Sequence, residues 1–120
     1  MAKTIKILVK DGEISKVIPR CQELCYDDSD DLAGVHWKVI GPGIDKQTGK
    51  EEELDLHFTV MIVGEATPFG SFAFNGDTLI DSGPITSSAP PSTHDQIFRY
   101  LIVVDGCPNP VDPGIIVWKQ

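Results

Sequence analysis

The chain reads as an all-β protein, an antiparallel β-sandwich of about eight strands with an immunoglobulin-like or cupredoxin-like arrangement. Three observations carry that reading: apolar residues recur with a period of two, clusters of Gly, Pro, Asn and Asp separate them, and no stretch sustains a helical period. At 120 residues the chain is the size of one domain, residues 1–120. A chain of that length buries roughly two thirds of its unfolded surface, so it needs no disulfide framework or structural metal to hold a core. A small closed barrel is the alternative, because strand spacing does not separate closure from sandwiching.

Ile5, Ile7 and Val9 alternate with Lys6 and Lys10, and Asp11-Gly12 then leads into Glu13–Ile18, a hairpin whose two-residue turn needs positive φ. Pro19 stops that strand. Cys21, Leu24 and Cys25 follow at helical spacing, so a single helical turn is expected there. Val35, Trp37 and Val39 share one face of the next strand, Val35–Ile40, and carry the Trp into the core. Gly41 to Glu53 reads as a long polar loop ending in three glutamates. Leu54, Leu56, Phe58, Val60 and Ile62 alternate with Asp55, His57, Thr59 and Met61 and give the clearest half-buried strand. Phe69–Phe74 and Asp77–Asp81 flank Asn75-Gly76, a second hairpin signal. Ser82 to Ser92 is a Ser/Pro-rich connector, and Ile97–Val104 and Gly114–Lys119 are the closing strands, joined by a link stiffened with three prolines.

Composition removes several classes of function. Ten Lys and Arg against eighteen Asp and Glu give a net charge of −8, and the only two arginines are Arg20 and Arg99, so the basic footprint of a nucleic-acid binder is absent. The longest apolar runs, such as Val60–Val63 and Leu101–Val104, are far too short to span a membrane as a helix. Lys3, Lys6 and Lys10 interrupt the first apolar segment, which leaves no continuous core for a secretory signal. Three cysteines, Cys21, Cys25 and Cys107, form no paired framework and fit a reducing cytoplasm.

Candidate chemistry is sparse. Leu79-Ile80-Asp81-Ser82-Gly83 resembles the active-site loop of aspartic proteases, in which a dimer pairs two carboxylates that share a proton. Only 37 residues follow Gly83, Pro84 comes next, and the apolar-apolar-Gly segment of that family is missing, so a strand end with a turn explains Asp81 better. Asp27, Asp28, Asp30 and Asp31 put four carboxylates in five residues, a pattern that can supply oxygen ligands to Ca²⁺. On an EF-hand template starting at Asp27, however, Leu32 occupies the Gly position and Lys38 the bidentate Glu position. His36, His57 and His94 do not reproduce a blue-copper ligand order, since no His or Met follows Cys107. Cys21 and Cys25 are spaced CxxxC rather than CxxC, Phe69-Gly-Ser-Phe-Ala73 lacks the second Gly of a nucleophile elbow, and no phosphate-binding Gly loop is present. Phe72 and Phe74 share a face that could serve as a carbohydrate platform.

Tyr100-Leu-Ile-Val-Val-Asp-Gly106, followed by Val111-Asp-Pro-Gly-Ile-Ile-Val117, resembles the closing hairpin of small bacterial sandwich proteins of the DP-EP group. The resemblance covers about the last 20 residues and implies a fold without assigning chemistry. Tyr100 stands where a tyrosine corner would, but Ile102 replaces the Cys of antibody domains. Together these readings point to a non-enzymatic bacterial interaction or assembly module without a required cofactor, self-associating through an edge strand or a sheet face. The alternative is a ligand-binding module for Ca²⁺ or a carbohydrate, with Asp27, Asp28, Asp30 and Asp31 as the cation ligands.

Overall fold

The computed structural model describes residues 2–44, 46–86 and 96–118. Ten strands lie within them: β1 (Lys3–Lys10), β2 (Glu13–Ile18), β3 (Cys21–Cys25), β4 (Val35–Ile44), β5 (Glu51–Glu53), β6 (His57–Val63), β7 (Ala73–Asp77), β8 (Leu79–Asp81), β9 (Gln96–Val104) and β10 (Gly114–Trp118). Two five-stranded sheets result. The first runs β2-β1-β4-β5, with β8 also on β4, and the second runs β3-β10-β9-β6-β7. The fold is all-β and its sheets do not close into a barrel.

The sheets are mixed, not antiparallel throughout as expected. β1 pairs β4 in parallel, and β3 pairs β10 in parallel. The cause is the path of the chain. Between β1 and β4 it leaves the first sheet to build β3 in the second, then returns in the original direction, and parallel pairing requires such a crossover.

Period-two burial fixes which faces meet. Ile5, Ile7, Val35, Trp37 and Val39 of the first sheet share one apolar core with Phe58, Val60, Tyr100, Ile102, Ile115 and Val117 of the second. Trp37 is its centre, with ring centroids 5.6 Å from both Phe74 and Tyr100 and 5.9 Å from Phe69 in edge or tilted contacts, geometries that add to simple area burial.

Several elements depart from the sequence reading. Cys21–Cys25 is strand β3, because pairing along β10 supplies hydrogen bonds that one isolated helical turn could not. The alternating stretch Leu54–Ile62 is divided: Leu54 N–H still bonds Val39 C=O of the first sheet, whereas β6 begins at His57 in the second. Alternation continues across this change of sheet because both inner faces look into the same core. Asn75-Gly76 lies inside β7 and is not a turn. A Cβ on Gly76 would stand 3.3 Å from both Ile80 Cγ1 and Leu79 O, so the glycine admits the close approach of β8. At Thr78, with φ 64°, the chain passes from β7 in the second sheet to β8 in the first. The polar loop 41–53 is partly strand, since β4 runs on to Ile44 and pairs β5. Asp11 and Gly12 both take positive φ, as the predicted hairpin turn requires. Much of the Ser/Pro-rich connector, His94 and Lys119 lie outside the described residues.

Candidate functional site

The acidic loop is tied into the fold by its own carboxylates. Asp31, buried in the 3-10 turn Asp31–Ala33, accepts the Cys25 N–H at 2.8 Å through Oδ2, and Lys3 Nζ lies 3.6 Å from Oδ1. Asp28 Oδ1 accepts the Asp30 N–H at 2.8 Å, and the Asp28 N–H bonds Cys25 C=O. Both polar groups of Cys25 on the open side of β3 are thereby occupied, so the loop ends this sheet edge. Asp27, Asp28 and Asp31 line a cavity of about 480 Å³ with Cys25, Ser29 and Trp118. Among the described residues no three His, Cys, Asp or Glu side chains come close enough together to hold a metal ion.

The other candidate residues are separated. Asp81 ends β8 on the outer face of the first sheet, where Oδ1 accepts the Gly83 N–H at 2.9 Å and His36 Nε2 lies 3.5 Å from Oδ2. Ser82 beside it is buried, accepts the Val35 N–H and donates to Gly83 C=O. His57 belongs to the second sheet and contacts Asp77 at 2.9 Å. Cys21 is exposed, Cys25 and Cys107 are buried, and all three are free thiols. Burial pushes the Cys107 thiol above its ordinary value, which makes it a poor nucleophile. Phe74 packs on Trp37 and Phe69, leaving only Phe72 exposed.

A groove of about 940 Å³ runs along the β4–β5 hairpin and is lined by Lys38, Ile44, Lys50 and Glu51–Glu53. Two of its carboxylates are already paired. Lys6 pairs with Glu51, and Lys38 bonds Glu53 at 2.8 Å, holding the Glu53 carboxyl below its ordinary value.

The outer faces of the two sheets differ in a way these motifs did not reveal. On the first sheet, Lys6, His36 and Lys38 point outward and meet Glu51, Asp81 and Glu53, and these polar contacts interrupt Ile18 opposite Lys6, Leu79 opposite Lys38 and Ile44, which are 42%, 50% and 67% exposed. On the second, the register sets Met61 opposite Leu101, Val63 opposite Arg99 and Ile97 opposite Ile116, with Val103 beside them opposite Thr59. Ile97 is 65% exposed, Val63 58% and Met61 37%. Arg99, in the middle of this surface, makes no ion pair among the described residues. Sequence reading used the runs Val60–Val63 and Leu101–Val104 only to exclude a membrane helix. They also carried the signal for this face: a strand that is apolar at consecutive positions is apolar on both faces, as in sheets covered on both sides.

Comparison with protein-family models, curated proteins and solved structures finds no match to this chain. Among the described residues no helix is long and apolar enough to cross a membrane.

Proposed function

We propose that this chain is a non-enzymatic interaction or assembly module whose working surface is the outer face of the second sheet. One observation carries the reading. Two four-residue apolar runs lie side by side on β6 and β9, one residue set facing the core and the other facing water, while on the opposite sheet the exposed Ile18 and Leu79 are interrupted by the Lys6–Glu51 and Lys38–Glu53 pairs. A solvated sheet face is ordinarily polar, and contiguous apolar surface rimmed by polar groups marks contact sites. Asp77 and His57 at one border and Glu23 at another supply such a rim.

Two mixed sheets over one core support an immunoglobulin-like or cupredoxin-like sandwich as the finer description, and the closing hairpin keeps the likeness to the DP-EP group within this reading. Three unpaired thiols support a reducing, cytoplasmic setting.

Met61 sits on the proposed surface and is the only methionine after Met1, so its oxidation by peroxide reports whether the face is covered. Met61 in an extract of the source cells is expected to form sulfoxide more slowly than in dilute purified protein. Rapid oxidation in both settings would remove the reading. Native mass spectrometry before and after chelation tests the competing role for Asp27, Asp28, Asp30 and Asp31, which predicts a chelator-sensitive mass.

A further inference from the structure

We infer that the occupant of this face is a second copy of the chain, docked outer face to outer face about a two-fold axis. The inference rests on the reading of that face as the working surface. Charge is the first argument. The chain carries −8, yet within the apolar area the only ionised side chain is Arg99, with Glu23 on β3 and Asp77 on β7 at the borders. A basic partner would be drawn to the acidic segments 27–31 and 51–53 instead. An identical acidic chain is repelled least where its surface carries no carboxylate, and the middle of this face, whose one charge is Arg99, meets that condition on both copies at once.

Area is the second argument. Strands of five to nine residues, rising about 3.3 Å per residue and spaced about 4.8 Å, give five strands a plan area of about 500 Å². Side-chain relief brings this toward the ~800 Å² that each partner contributes to a standard interface. Symmetry is the third. β9 is the middle strand of five, so a two-fold axis lying in the interface through the sheet centre places β9 on β9. Leu101 then meets the centre of the contact, flanked by Met61 and Val103, in the self-complementary manner of an isologous dimer. Arg99, whose stem covers apolar neighbours, is the one charged residue type enriched in such contacts.

The test is sedimentation velocity of the purified full chain from about 1 to 200 μM, the weak end for interfaces of standard size, with Met61 oxidation followed in parallel. A reversible dimer is expected, with Met61 increasingly protected as concentration rises. Met61→Glu and Ile97→Glu each change an exposed residue, and an unpaired carboxylate within an apolar contact is expected to weaken association at least about tenfold. Ile44→Glu, 67% exposed on the other sheet, leaves it unchanged. Thermal melts confirm that each variant is folded. A dimer indifferent to both face variants overturns the inference, as does a monomer whose Met61 is protected at every concentration, which places the cover within one chain. A monomer at all concentrations whose Met61 is protected only in cell extract overturns the second copy and leaves the interaction face standing. A monomer reactive in both settings removes both.

Discussion

Gly34 joins the 3-10 turn to β4 at φ 91° and ψ −146°, a region nearly closed to residues with a Cβ. A Cβ there would lie 2.0 Å from Gly83 O and 2.4 Å from Ser82 Oγ. Those are the atoms through which Ser82 straps the end of β8 to the start of β4, so the clash cannot be relieved by moving a flexible tip. Gly34→Ala is expected to cost about 3 kcal/mol or more in urea unfolding, from backbone strain and the broken strap together. Tyr100 presents the opposite case. It is fully buried, and its hydroxyl, like the Trp37 indole N–H, has no hydrogen-bond partner among the described residues. Tyr100→Phe therefore removes a desolvated polar group and should leave stability unchanged or raise it by up to about 1 kcal/mol. Burial also pushes the phenol well above its ordinary value near 10. The folded chain keeps a proton that the unfolded chain releases, so this contribution is complete below about pH 10 and lost above it. The melting temperature should fall less steeply above about pH 10 in Tyr100→Phe than in the parent; the buried Cys107, also shifted up, leaves a residual slope in both.

At the scale of elements, the edge strand β3 depends on one carboxylate. Asp31→Ala would leave the Cys25 N–H buried without an acceptor and is expected to destabilise by about 1–3 kcal/mol. Asp31→Asn keeps an acceptor oxygen and should lose much less, because the Lys3 pairing it forfeits is half exposed. Comparing the two by urea unfolding separates the hydrogen bond from the charge. Equal losses would show that the charge, not the edge bond, holds the loop. The same strand shows where sequence reading stops. Period two was legible where a strand has one buried face, as in Ile5–Val9, Val35–Val39 and Phe58–Ile62. Asp11-Gly12 was legible because its turn is local. Cys21–Cys25 was not, since its pairing partner lies about 90 positions away on β10, and Asn75-Gly76 misled because Gly76 answers to β8 packing rather than to a turn. Asp31 was identified as a candidate by its charge alone, whereas its position is decided by the Cys25 N–H. The apolar outer face became visible only when register placed Met61 beside Leu101.

For the whole molecule, charge and association are coupled in a direction that distinguishes one face from another. Each chain carries −8, so bringing two together doubles the charge of the particle and opposes any dimer. If the contact is the outer face of β6 and β9, the attraction comes from apolar burial, which modest salt hardly changes, and the repulsion is between solvent-exposed carboxylates around the rim. Salt shortens the Debye length from about 30 Å at 0.01 M to about 10 Å at 0.1 M and so screens that repulsion. Association should then tighten as sodium chloride rises over this range, and the gain should be smaller near pH 4.6, the isoelectric point, where little net charge remains to screen. A dimer built on the other sheet would bring Lys6, Lys38, Glu51 and Glu53 into the contact beside Ile18 and Leu79, and the same salt would weaken its ionic part. Sedimentation at two ionic strengths decides between the sheets before any variant is made.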